Sequence, residues 1–224
     1  MSASTDFNDN ARLNYGDTTA WDGATEITYS WWTRMESLAN GQGWYGKSID
    51  AGERCYCYLE SHGWFFWNIE SAAGRRAIKV ANWSSVATVN VWEHYCVTWA
   101  ANAGTNLVKF YFNGVDTAYD IYAGGNAGAL PNTNNDLILG NLTPTGGWFI
   151  DGQMAYFRVH TRVLSQNEVY ELMYQPDSIV DGLVIAPDLT NSSCKDPITG
   201  ITPGKTNTSL SNYGPPVNYK KLMS

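Results

Sequence analysis

Charge is scarce in this chain, and positive charge scarcer still. Only 16% of its 224 residues are Asp, Glu, Lys or Arg, and the formal balance is −7. The tight basic groupings are Arg75-Arg76 and Lys220-Lys221. Binding to nucleic acid needs clustered cations that release counterions from phosphates, so nucleic acid is not an expected partner. Long apolar runs are also missing. No stretch approaches the roughly 20 residues of a bilayer-spanning helix, so no membrane partner is expected. Residues 1–25 show neither a basic start nor an apolar segment, so no secretory signal is visible. The three His, at 62, 94 and 160, come with no G-x-S-x-G turn, which leaves a nucleophilic triad without support.

Cysteine is sparse as well: four residues, at 55, 57, 96 and 194. Cys55 and Cys57 share one face of a strand-like run, with Cα atoms about 6.5–7 Å apart, poor geometry for a mutual bridge. Free, buried thiols are expected, and a bridge from Cys96 to either member of the pair stays open. A zinc set of Cys55, Cys57, His94 and Cys96 would need two strands with aligned faces; ordinary buried thiols are the simpler reading.

Aromatic residues, by contrast, are abundant, with 10 Trp and 14 Tyr, and 21 Gly supply turns. Strand-length runs rich in β-branched and aromatic residues recur at 27–35, 43–49, 55–60, 63–70, 77–82, 92–100, 107–113, 119–122, 136–140 and 148–160. Asn113-Gly114 between two of them marks a tight hairpin, since both residues tolerate positive φ. After the strand over Met154–Val159, Ser165 and Glu168 stand at capping-box spacing before a short helix. Past Pro176 the composition turns polar; 182–186 could add one strand, but the remainder should not pack a core of its own. These signals define an all-β chain: an antiparallel β-sandwich over 1–176, one short C-terminal helix, and an extended polar tail over 177–224. A tail of that kind is ordered only against something: its own domain is one candidate, and a neighbouring subunit, on which residues 187–224 are expected to dock, is the other.

Four stretches taken together resemble the laminin-G-like, concanavalin A-like jelly roll of pentraxin type. They are Phe7–Tyr15 with ATEITYSWWTRM, then WEHYCVTW at 92–99, VKFYFNGV at 108–115, and the ending from Trp148 to Tyr174 with R-x-L-S-x-x-E-V. The resemblance covers roughly residues 5–176. It implies a fold that mostly binds ligands and only sometimes hydrolyses them. Glucanases of this fold carry paired carboxylates as E-x-D-x-x-E, and here no Glu is followed by Asp two residues on. A non-enzymatic role is therefore expected.

Pyranose rings expose C–H faces that stack on aromatic side chains, with amides fixing the hydroxyls. Trp44, Trp83 and Trp148, in Gly/Asn/Ser-rich surroundings, and Asn141 are the ligand-binding candidates. Tyr56, Tyr58, Trp64 and Phe66 are expected to line one sheet face. The resemblance also implies calcium at one edge, for which Asp6, Asn8 and Asp151 are the candidate ligands, although Ala155-Tyr156 stands where the family has its acidic pair. The expected function is a virion surface protein of phage, of decoration or fibre type. It would attach to a glycan or cell-surface polysaccharide, be anchored by its tail to capsid or fibre subunits, and form a homo-oligomer. The alternatives are a free-standing extracellular carbohydrate-binding module or lectin, and a glycoside hydrolase on the same fold.

Overall fold

One strand belongs to two layers, and it organises the molecule. The computed structural model describes residues 3–39, 41–47, 53–101, 106–211 and 214–217. Strand β1 (Ser4–Asp17) pairs near Thr5–Phe7 with β12 (Gly152–His160), and from Leu13 onward with β11 (Asp136–Leu139). From β12 the antiparallel ladder runs through β2 (Glu26–Met35), β7 (Trp92–Ala101), β8 (Asn106–Phe112) and β9 (Val115–Asp116). From β11 it runs through β3 (Gln42–Lys47), β4 (Arg54–Leu59), β5 (Phe65–Ser71), β6 (Gly74–Val80) and β10 (Asp120–Gly124). The ladder is continuous, and its two arms fold against each other as a sandwich.

The side chains between the arms show the packing. Tyr29 of β2 stacks on Tyr45 of β3 with centroids 4.8 Å apart, and Phe65 of β5 stacks on Phe110 of β8 at 4.3 Å. Trp31, Trp44, Trp67, Trp83 and Trp99 are all fully buried in this core. Each well-oriented aromatic pair adds about 0.5–1.5 kcal/mol beyond the area it buries. The hairpin between β8 and β9 turns at Asn113 and Gly114, whose φ values of 50° and 77° suit the right-handed strand twist.

Helix α1 (Gln166–Tyr174) begins as its sequence predicts. The Glu168 N–H donates to Ser165 Oγ at 3.4 Å, and the Ser165 N–H donates to Glu168 Oε2 at 2.8 Å, which closes the capping box. Arg162 clamps the same carboxylate at 2.6 Å and, with the Ser165 bonds, holds its pKa down to about 2. The helix buries Val169 and Leu172 against Cys96, Tyr111 and Leu164, on the outer face of β7 and β8.

Over its described part the polar tail lies against its own domain, one of the two candidates. Strand β13 (Leu183–Ile185) pairs with β12, and β14 (Gly204–Ser211) lies along β1 from Ser4 to Asn14. Ile185, Leu189 and Cys194 join the main core, and Tyr15 donates its hydroxyl to the Cys194 carbonyl at 2.7 Å. The sandwich therefore extends past residue 176. The bridge left open between Cys96 and Cys55 or Cys57 is absent. Cys55 and Cys57 face the core while Cys96 lies under the helix on the opposite side of its sheet, and all four thiols are free and buried. Burial, opposed by a hydrogen bond to Tyr29, pushes the Cys55 thiol up to about 12, so it stays protonated.

Candidate functional site

Alternation along β4 and β5 decides what reaches the surface of the β3–β10 arm. Cys55, Cys57, Leu59, Phe65, Trp67 and Ile69 point into the core. Their neighbours Arg54, Tyr56, Tyr58, Phe66, Asn68 and Glu70 therefore point outward. The register places Tyr58 opposite Phe66 and Phe66 opposite Lys79, with Tyr56 opposite Asn68 and Arg54 opposite Glu70.

Gly43 and Gly46 occupy the corresponding outward positions of β3, opposite Tyr58 and Tyr56. Their missing side chains let the loop after β11 lie directly on the sheet. A Cβ on Gly46 would come 2.0 Å from the Leu142 carbonyl oxygen, and one on Gly43 would come 2.7 Å from the Leu142 side chain. Leu142 accordingly packs with Tyr56, Phe66 and Ala77. The Gly43 N–H donates to the Trp148 carbonyl at 2.8 Å, which fixes the far end of the loop. The Trp148 ring then stands at 90° to Tyr58 with centroids 5.3 Å apart and forms a wall.

Rings continue across the strands. Tyr58 meets Phe66 at 5.4 Å, Phe66 meets Tyr122 of β10 at 5.0 Å, and Trp64 lies 6.5 Å from Tyr122. Phe66 is a buried floor, whereas Tyr122 is 52% exposed and Trp148 36% exposed. Burial raises the Tyr56 and Tyr58 hydroxyls above their ordinary pKa, so both remain neutral hydrogen-bonding groups.

Three cations sit over these rings. The Arg75 guanidinium lies 5.4 Å from the Tyr122 ring and 5.7 Å from Phe66; Lys79 Nζ is 4.0 Å from Trp64; Arg54 is 5.5 Å from Tyr56. Arg54 pairs with Glu70 at 2.7 Å, while Arg75 shares that carboxylate at 3.8 Å. Arg75 Nε also donates to Asn68 Oδ1 at 2.5 Å. Asn68 is fully buried, and its Nδ2 has no acceptor among the described residues. Glu60, at the end of β4, is engaged with His62 at 2.7 Å.

The candidates read from the sequence divide. Tyr56, Tyr58, Trp64 and Phe66 do share this face. Trp148 reaches it as a wall. Trp44 and Trp83, expected at the surface, are fully buried. A register shift between Gly43 and Tyr45 marks a bulge there, and both Trp44 and Tyr45 pack in the core. Trp83 plugs the end of the sandwich against Phe65, Tyr95, Phe110 and Phe112. Asn141 is buried too, and its amide is spent on the loop: Nδ2 donates to the Gly146 carbonyl at 2.8 Å and Oδ1 accepts the Leu142 N–H at 2.7 Å.

Asp6 lies on β1 opposite Gln153, and Asp151 is an exposed residue just before β12. The Asn8 side chain lies outside the described residues. Among the described residues no three His, Cys, Asp or Glu side chains gather into a metal-holding group. The zinc set fails because His94 and Cys96 face away from Cys55 and Cys57. His94 instead lies within 2.8 Å of Ser30 Oγ. Tyr122, Arg75, Lys79 and Asn68 escaped the sequence reading. Charged and polar residues alternating with aromatics on a strand read as an ordinary solvated face, and only the ladder brings β10 beside β6.

Comparison with known proteins agrees with this architecture. Over 97% of its length the chain superposes on a candidate carbohydrate binding protein from Bacteroides ovatus, with a TM-score of 0.72 and 15% identity, and spans 62% of that protein. A heptameric SAP-like pentraxin from Limulus polyphemus matches at a TM-score of 0.59 and 14% identity, over 94% of both chains. Domain 4 of AbnA, a GH43 extracellular arabinanase from Geobacillus stearothermophilus, solved with arabinotriose, matches at 0.50 and 15% identity, over 76% of this chain and 87% of that one. No curated protein matches the sequence. At such identities the structural matches establish a lectin-like jelly roll. The sequence itself matches a family model over residues 7–170, and the chain belongs to the concanavalin A-like lectin/glucanases superfamily.

Proposed function

We propose that this protein is a non-enzymatic glycan-binding domain whose ligand lies across the open face of the β3–β10 arm. The observation that carries this reading is the row Trp148, Tyr58, Phe66 and Tyr122, with ring centroids 5.0–5.4 Å apart from one to the next. Tyr58 and Phe66 stand on adjacent strands about 4.8 Å apart, while Tyr122, beyond β6, and Trp148, on the loop, lean in to continue the row. Over the Phe66 floor, the accessible rings of Trp148, Tyr58 and Tyr122 offer apolar surfaces for the C–H faces of a sugar chain running across the strands. The half-exposed Tyr58, Arg75 and Lys79 supply polar groups beside them for hydroxyls. The arabinotriose bound to the arabinanase domain, which shares this fold, supports this reading.

A binding role without hydrolysis fits the carboxylates of the face. Glu70 is held by two arginines and Glu60 by His62, so neither is poised as the acid of a glycosidase pair. In the setting expected from the sequence, a virion surface protein, the ligand would be a host polysaccharide.

Screening the full chain on a glycan array, with release of reducing ends assayed on every ligand found, tests both halves. Retention of one glycan class without cleavage is expected. Cleavage, or retention that survives unchanged in Trp148→Ala and Tyr122→Ala, would overturn the reading.

A further inference from the structure

We propose that the glycan taken by this face is acidic, and that its sugar carboxylates are read by Arg75 and Lys79; this rests on the open face being the glycan site. The chain as a whole is acidic at −7, yet three of its 14 Lys and Arg converge on this one face. Their internal neutralisation is incomplete. Glu70 serves Arg54 closely at 2.7 Å and Arg75 only at 3.8 Å. Lys79 has no carboxylate within ion-pair distance among the described residues, and lies over the Trp64 ring at 4.0 Å instead. Glu60 is turned to His62, and among the described residues of the face Asp120, exposed on β10 opposite Lys79, is the remaining opposing charge.

Arg75 occupies the middle of the platform. Its Nε is fixed by Asn68, and Phe66 and Tyr122 flank its guanidinium. A planar guanidinium held this way meets a planar carboxylate through two parallel hydrogen bonds, an arrangement a point charge does not reproduce. The aromatic neighbours match the apolar faces of the same sugar. Uronic-acid polysaccharides combine the two features the face presents, ring faces and carboxylates at regular intervals.

The test uses the full chain and pairs of polymers: alginate, polygalacturonate, hyaluronan and xanthan, each beside its carboxyl-reduced neutral counterpart. At least one acidic polymer should bind, and its reduced form should bind about tenfold or more weakly, as for a charge-assisted contact. Affinity should fall as salt rises. Arg75→Gln should weaken the acidic ligand to the level of the reduced one. Glu70→Gln and Asp120→Asn, which remove competing carboxylates, should tighten it severalfold, a gain that misfolding cannot mimic. Equal binding of acidic and reduced polymers, or binding of neutral glycans alone, would overturn the acidic specificity and leave the face as a glycan site. Acidic binding indifferent to Arg75→Gln and to Trp148→Ala together would overturn the face itself.

Discussion

The two outer faces of this sandwich meet opposite fates. Over β2, β7, β8 and β12 the outer face is closed. Helix α1 covers Cys96 and Tyr111, while Trp32, Ala155, Tyr156 and Met173 form a cluster against which Trp92 and Val217 pack. Over β4, β5, β6 and β10 the face bears as many aromatic rings, yet its cover among the described residues is the loop around Leu142 and Trp148. Aromatic side chains alone therefore do not mark a binding surface. On the closed face they are consumed by the chain's own helix and C-terminal segment and contribute stability. On the open face Tyr58, Trp64, Tyr122 and Trp148 stay at least partly accessible beside cations, and that combination is what a ligand can use.

Substitutions should separate the faces. The largest effect belongs to the closed one: Leu172→Ala removes a buried anchor of the helix and should cost about 2–5 kcal/mol in urea unfolding, with ligand affinity per folded molecule unchanged. A concurrent loss of affinity would show that the faces are coupled.

The closed face should also carry acid sensitivity. His94 is fully buried beside Trp32, and burial pushes its pKa down to about 3. In the unfolded chain it titrates near its ordinary value of about 6.5. Between those values the unfolded state binds a proton that the native state does not, so stability present above the unfolded pKa is lost as pH falls. Its share should be about 2–3 kcal/mol between pH 7 and pH 4.5, read from urea midpoints. His94→Gln should flatten that slope; an unaltered slope would place the acid sensitivity elsewhere.

Gly46→Ala links stability to the site, because its Cβ would meet the Leu142 backbone rather than a yielding side chain. We expect a cost of about 1–3 kcal/mol together with a displaced Trp148 and weaker binding. Preserved binding would show that the wall is dispensable. The smallest effect on stability is expected on the open face, where Tyr122→Ala should stay within about 0.5 kcal/mol.

Much of the architecture was legible because its causes are local. The aromatic and β-branched runs, the Asn113-Gly114 turn and the Ser165/Glu168 cap each carry their own chemistry. Strand β14 was not legible: its sequence GKTNTSLS shows no apolar alternation, and its pairing on β1 is decided by the fold. The site was half legible. Period-two alternation placed Tyr56, Tyr58 and Phe66 together, but the Gly/Asn/Ser context of Trp44 and Trp83 misreported their exposure. A bulge in one case and a plugged sandwich end in the other turned those rings inward. Asn141 sat near the site for a different reason, since it shapes the loop instead of facing a ligand.

The most direct test is a calorimetric titration of the strongest array glycan into the wild-type chain and the Tyr58→Ala/Tyr122→Ala double variant, alongside their unfolding curves. The open-face account predicts binding lost by about tenfold or more in a variant that still unfolds cooperatively, at a cost of about 1–3 kcal/mol for the ring contacts of Tyr58. Equal affinity in the two proteins would contradict it and move the site off this face.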